Sequence, residues 1–340
     1  MDQPDPATTP RILVVGAGAV GGYLGARLAA AGRDVTFLVR PTAADRLRAT
    51  GLVLRDLPAG AEQRLAPRAV TPEDLTAAVA ADGPFDVVLV TVKAPGLDWA
   101  GSALATPGLL APGAAVVPLL NGMAQLDVLA AALAGVAPGA LVGATVRIVA
   151  SVDDDGAVVL HQPIHRVTLG ALAQMPPADD DAADADDAPV ARAAAVLDVS
   201  GIDVLVTGDA VGELWNKWYF IVASGVLGVL TRGTVGQVVA TPGGVDVVDA
   251  ILAETAAVPA AAGHVVPAAD LDFSRGFLTA PGSGFVSSLY RDVVAGRAGE
   301  SEHIVGDFVA RARRLGVATP LCDVALLQMR VVTADRPGTR

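Results

Sequence analysis

The sequence predicts an α/β protein in two parts, a doubly wound parallel sheet followed by an all-helical domain, and three observations carry that prediction. From Arg11 onward, short β-branched runs alternate with Ala/Leu-rich helical stretches, the pattern that gives parallel strands covered by helices. Four of those runs, the clearest, read as continuous and almost entirely apolar, as expected of strands buried on both faces. After Gly208 the strand signals stop, and helical patterns separated by Gly and Pro turns continue to about Arg330. A chain of 340 residues also exceeds one ordinary core. The expected division is a leader over 1–10, a sheet domain over 11–208 and a helical domain over 209–334.

The elements follow in order. The leader MDQPDPATTP is acidic and Pro-rich, with neither the basic start nor the apolar run of a secretory signal, and is expected to be disordered. Ile12–Val15 reads as the first strand, Val20–Ala31 as a helix closed by Gly32, and Val35–Val39 as the second strand. Val87–Val92 and Ala114–Pro118 complete the continuous apolar runs. Val142–Ala150, Ala157–His161, Val167–Gly170 and Asp203–Thr207 are shorter or interrupted by polar residues, and are expected to extend the same sheet in mixed orientation. Residues 176–189 carry dense negative charge without apolar periodicity, which predicts a solvated loop. That run lacks the Gly and terminal Glu of an EF-hand loop, which argues against a calcium site. The helical domain should open with a helix from about Val211 that carries Trp215, Lys217 and Trp218. No fixed-period repeat is visible.

Composition excludes several classes. Net charge is −12 from 24 basic and 36 acidic residues, and no Lys/Arg cluster interleaves with aromatics, so binding to a phosphate backbone lacks its electrostatic basis. The longest apolar stretch, Trp218–Leu230, is broken by Ser224, Gly225 and Gly228 and falls short of the roughly 20 residues of a bilayer span. Hydrophobic residues make up 52% but aromatics only 4%, so apolar content is spread over many small side chains, as suits an α/β fold. One cysteine, Cys322, cannot form an internal disulfide and sits in an apolar helical pattern, which fits a reducing cytoplasm.

A GxGxxG pattern alone is weak, but its context here is specific. Gly16-Ala17-Gly18-Ala19-Val20-Gly21 follows one strand directly, opens a helix and leads into a second strand, the βαβ unit of a Rossmann-type dinucleotide site. Gly16 would permit the tight turn, Gly18 would let backbone N–H groups approach a pyrophosphate, and Gly21 would let the helix pack on the strand. The helix N-terminus then attracts the anion. An acidic residue usually meets the ribose after the second strand in NAD-preferring proteins; this chain has Arg40 there, a cation suited to the 2′-phosphate of NADP(H).

Reducing a carbonyl with a nicotinamide needs a hydride donor and a group that delivers a proton to the growing alkoxide. His161 and His165 flank Pro163 in a strand-like stretch without metal-ligand spacing, and His264 and His303 are isolated, so all four read as structural. Lys217 sits among Leu214, Trp215, Trp218 and Tyr219; it could act as general acid or electrostatic clamp, or snorkel from a core helix. Lys93 and Asn121 lie just beyond the carboxyl ends of strands, where open α/β sheets present ligands. Each could equally be a strand-end charge or an Asn-Gly turn.

These residues in this order resemble the ketopantoate reductase family. The match covers about the whole chain: the Gly16–Gly21 turn, Arg40, Val92-Lys93-Ala94, Asn121-Gly122, Leu214-Trp215-Asn216-Lys217, Ser287–Asp292, and Gly296-Arg297-Ala298-Gly299-Glu300 with Gly306. The resemblance implies an N-terminal Rossmann domain, a helical C-terminal domain and NADPH-dependent reduction of a 2-oxo acid in an interdomain cleft. It makes Lys217 the general acid, Glu300 the hydrogen-bond partner of the substrate hydroxyl or carbonyl, and Ser288 a contact of the substrate carboxylate. Lys93 and Asn121 would line the cleft near cofactor and substrate, and a homodimer is implied as well.

Three positions depart from that pattern. Ile221 and Gly225 stand one and two turns after Lys217, and Phe285 stands three residues before Ser288, where pantoate-forming members carry Asn. A site built to hydrogen-bond a hydroxyl loses much when those partners vanish. The expected pocket is therefore roomier or more apolar, serving another 2-oxo acid or carbonyl rather than ketopantoate. The rivals are imine or enone reduction, oxidation of a biosynthetic alcohol, and an NADPH-binding protein without turnover.

Overall fold

The computed structural model describes residues 9–172, 183–296 and 299–334. Its contacts divide the chain into two compact units: one runs to Ala210 without residues 121–124, and the other runs from Val211 and takes in Asn121–Ala124.

In the first unit the elements run β1 (Arg11–Val15), α1 (Ala19–Ala30), β2 (Asp34–Leu38), α2 (Pro41–Thr50), β3 (Leu52–Asp56), β4 (Ala61–Leu65), β5 (Arg68–Val70), α3 (Pro72–Asp82), β6 (Phe85–Val90), α4 (Leu97–Leu104), β7 (Leu110–Pro118), α5 (Ala124–Leu133), β8 (Val142–Val152), β9 (Val158–Ala171), α6 (Ala183–Leu197) and β10 (Asp203–Val206). Five of the strands form one sheet in the order β5-β2-β1-β6-β7, parallel at every pairing. Ile12, Leu13, Val14, Val15, Val87, Val88, Leu89 and Val90 are fully buried, which is why their segments read as unbroken apolar runs.

The later strands do not extend that sheet. With β3 and β4 they form a second one, in the order β10-β9-β3-β4 with β8 paired to β9. The cause is α1, whose glycine-rich surface packs on two sides. A side chain at Gly25 would run into the Phe37 ring on β2, and one at Gly22 would come within 2.6 Å of Val158 on β9. A helix covered on both sides needs a second apolar layer. Val142, Ala144, Val158, Val167 and Leu169 supply it, in one core with Tyr23, Leu24 and Leu28. The two runs Ala157–His161 and Val167–Gly170 belong to the single strand β9, whose middle residues His161–Pro163 are exposed. On the other face of the first sheet, Leu75, Leu97, Leu104, Leu129 and Leu133 from the covering helices meet Leu13, Val88 and Val90.

The acidic run differs from its expected loop over 183–189, which lies within α6; residues 176–182 fall outside the described residues, as do 1–8 of the leader. Alanine is the best helix former, and it recurs at positions 183, 185 and 188 of this run.

Among the described residues, the elements of the second unit are all helices: α7 (Ala210–Thr231), α8 (Val235–Val239), α9 (Gly244–Ala261), α10 (Ala268–Leu278), α11 (Ser288–Val294), α12 (Asp307–Arg314) and α13 (Pro320–Ala334), with a π-helical turn at Glu302–Gly306. Glu254 of α9 accepts hydrogen bonds from the Leu321 and Cys322 N–H groups (3.0 and 2.8 Å) and so caps α13. Among the described residues, no helix is long and apolar enough to cross a membrane.

Candidate functional site

In the first sheet β1 lies between β2 and β6, and the chain order reverses direction there, which makes the carboxyl edge of β1 and β6 the switch point where such sheets take ligands. The Gly16–Gly21 turn stands at that edge. Gly16 has φ 101°, a conformation that L side chains rarely adopt, and its N–H donates to Leu38 O at 2.9 Å. Thr91, just past β6, donates its hydroxyl to Val15 O and Gly16 O, both at 3.0 Å. Gly21 of α1 packs directly on this threonine: a side chain there would collide with Thr91 Oγ1 and Gly16 O.

Gly18 is the opposite case. It is exposed, with open space where a side chain would be, and it is the N-cap of α1. No side chain caps that helix end and no acid stands in its first turn, so the N–H groups of Ala19 and Val20 and the positive dipole end remain available to an anion. Ala17, Ala19 and Val20 are half-buried around it.

Arg40 follows β2 as the N-cap of α2, exposed, and among the described residues no carboxylate pairs with it. Lys93 follows β6 and is also exposed, with its carbonyl accepting from Gly96 N–H at 2.8 Å. Glycine turn, arginine and lysine thus stand at the ends of three adjacent parallel strands.

In the second unit, Lys217, Ile221 and Gly225 follow one another at helical spacing along α7. Lys217 and Ile221 are half-buried, and the neighbours Leu214, Trp215, Trp218 and Tyr219 are buried. The Trp218 indole N–H donates to Ile304 O at 3.0 Å, and its ring meets Phe308 edge-on at 5.1 Å. Ile304 N–H in turn donates to Glu300 O at 2.8 Å. The residue after Lys217 therefore anchors the segment that begins at Glu300. Glu300 itself is half-buried and enters the π-helical turn, a distortion that is frequent at functional sites.

Other positions separate. Ser288 is exposed at the start of α11, whereas Ser287 is its N-cap and accepts from Tyr290 N–H at 3.1 Å. Gly225 does not enlarge a pocket: a side chain there would come within 2.7 Å of Leu289, so glycine serves the close approach of α11 to α7. Phe285 is half-buried, with its ring edge-on to Phe277 at 4.8 Å. Arg297 and Ala298 lie outside the described residues.

Sequence reading set His303 aside, yet its imidazole lies 3.5 Å from where a side chain at Gly122 would be, and it donates to the Asn121 carbonyl. Burial depresses its pKa, with the Asn121 carbonyl and the Asp307 charge opposing. The signal was faint, a glycine that must take φ 89° beside Asn121. Two of the other histidines have structural partners: His161 bonds Ser151 at 2.8 Å, and His165 stacks on Tyr23. Among the described residues, no group of three His, Cys, Asp or Glu side chains could hold a metal. Cys322 is buried in α13, and burial followed by the nearby Glu254 drives its thiol pKa up.

Comparisons with known proteins cover both units. The family model described as ketopantoate reductase PanE/ApbA matches residues 12–174, and the model of that family's C terminal matches residues 209–332. The chain is 27% identical over 330 residues to the uncharacterized oxidoreductase YkpB of Bacillus subtilis (strain 168), covering 96% of this chain and 100% of that one. It is 29% identical over 329 residues to a 2-dehydropantoate 2-reductase of Halobacterium salinarum, with the same two coverages. The crystal structure of a ketopantoate reductase from Ralstonia eutropha JMP134 superposes with a TM-score of 0.77 at 25% identity, covering 95% of this chain and 98% of that one.

Proposed function

The chain belongs to the ketopantoate reductase family of Rossmann-type oxidoreductases, and on that premise we propose that it is an NADP(H)-dependent reductase of a 2-oxo acid or related carbonyl. The observation that carries the cofactor assignment is the pairing of the open, uncapped α1 N-terminus at Gly18 with an exposed Arg40 at the end of β2. The first suits a pyrophosphate and the second the 2′-phosphate.

When bound, NADPH supplies the hydride. Lys217 delivers a proton to the oxygen that the hydride turns into an alkoxide, or holds that oxygen as a cation. Glu300 orients the reacting oxygen by accepting a hydrogen bond from the hydroxyl that reduction of the carbonyl creates, Ser288 contacts the carboxylate, and Lys93 and Asn121 serve cofactor and substrate. The link from Trp218 to Ile304 and on to Glu300 supports treating Lys217 and Glu300 as parts of one rigid frame. Ketopantoate is a poor fit, because Ile221 and Phe285 offer no hydrogen bond to its hydroxyl. The protein works as a homodimer in a reducing cytoplasm in this reading.

Loss of NADPH absorbance on a panel of 2-oxo acids tests the reading. Turnover is expected on at least one, and Lys217→Ala should lower kcat by about a hundredfold or more. A protein that binds NADPH but turns over no member of the panel would overturn it.

A further inference from the structure

We infer that the group borne by the substrate's 2-oxo carbon is an aryl or arylmethyl group, received by a ladder of four phenylalanines in the helical unit. This inference rests on the reading of Lys217 and Ser288 as substrate contacts. Phe220 follows Lys217 by three residues on α7 and Ile221 follows it by four, the spacings that bring helix side chains side by side. From Phe220 the rings continue through Phe277, edge-on at 5.7 Å and 70°, and Phe273 at 6.5 Å. Phe273 and Phe277 stack at 6.0 Å, and Phe277 meets Phe285 edge-on at 4.8 Å and 76°. The ladder thus starts one turn from the proposed proton donor and ends three residues before the proposed carboxylate contact.

Its unit leaves the ladder partly uncovered. Phe273 is 62% and Phe277 36% exposed, although a phenylalanine has about 150 Å² or more to bury. An uncovered aromatic patch of this kind marks a binding surface. These side chains offer no hydrogen-bond donor or acceptor, so a hydroxylated substituent would lose its water without replacement. A flat apolar ring would add another edge-to-face contact to a set that already uses that geometry. Position relative to Lys217 and Ser288 selects the substrate's own substituent as the occupant.

The test uses two unreactive 2-oxo acid analogues, oxamate and N-phenyloxamate, titrated into the full chain saturated with NADP+. N-phenyloxamate is expected to bind about 30-fold more tightly than oxamate. That ratio should fall about tenfold in Phe277→Ala and severalfold in Phe273→Ser; the second residue is exposed enough to change without harm to the fold. Thermal melts accompany both variants. Equal binding of the analogues, or a ratio intact in both variants, overturns the inference while leaving the reductase reading standing. Failure of both analogues and of NADP+ to bind overturns both together. A Phe273→Ser variant that changes from dimer to monomer with an unaltered ratio assigns the patch to a second copy of the chain and also overturns the inference.

Discussion

Replacing Gly21 by alanine separates the packing of the glycine turn from its role toward a ligand. The new methyl would collide with Thr91 Oγ1 and Gly16 O and lie 3.1 Å from Thr91 Cβ. Overpacking of this kind costs about 1–3 kcal/mol. Displacing the Thr91 hydroxyl from Val15 O and Gly16 O leaves a half-buried donor unpaired, for about 1–3 kcal/mol more. Alanine's better helix propensity returns only about 1 kcal/mol. The net is a loss of about 3 kcal/mol, which for a unit of this size lowers Tm by roughly 6–12 °C. Gly18→Ala is the control, because a side chain there meets open space at an ordinary φ of −78°. It should change Tm by less than about 4 °C, since the Gly-to-Ala difference at an N-cap is about 1 kcal/mol or less. NADPH affinity should nevertheless fall about tenfold or more, because the methyl would stand where the pyrophosphate approaches the backbone. Calorimetric melts and nucleotide titrations read both quantities. A Gly21→Ala variant as stable as the parent would refute the packing argument.

Further predictions follow from other contacts. Trp218→Phe keeps most of the ring but leaves the Ile304 carbonyl without its donor, so urea unfolding should show a loss of about 1–3 kcal/mol; an unchanged midpoint would count against this anchor. Glu254→Gln weakens the cap on the Leu321 and Cys322 N–H groups and should cost about 1 kcal/mol by the same assay. The Cys322 thiol should resist a thiol reagent in the native protein and react on unfolding, since it is buried and its pKa is raised. His303, whose folded pKa is depressed by burial, favours the neutral ring. Its contribution is therefore present above the ordinary histidine pKa of about 6.5 and is lost as pH falls through the lower folded value. Tm should drop on acidification across that window, and less steeply in His303→Gln.

The first sheet was legible because burial on both faces forces unbroken apolar runs such as Val87–Val90, and because Gly16, Gly18 and Gly21 occur between a strand and a helix. The second sheet was not, because β4 reads Ala-Glu-Gln-Arg-Leu and is mostly exposed, and because the polar middle of β9 looks like a break between two strands. Helix α1 gave the clue in retrospect: Gly22 and Gly25 leave room on two sides, which an ordinary surface helix does not need. Within the helical unit, Lys217 stood out by its aromatic neighbours. The contact of His303 with Asn121-Gly122 spans about 180 residues of sequence and has no local pattern to reveal it. Gly225 suggested an open pocket by its type alone, whereas in the fold Leu289 fills the space.

Calorimetric titration of the folded chain with NADPH and with NADH tests the central claim most directly. Saturable binding of NADPH is predicted, at least about tenfold tighter than NADH, with that preference abolished in Arg40→Gln because a charge-assisted contact to the 2′-phosphate contributes about 1.5–3 kcal/mol. Absence of binding by either nucleotide, or a preference for NADH, would contradict it.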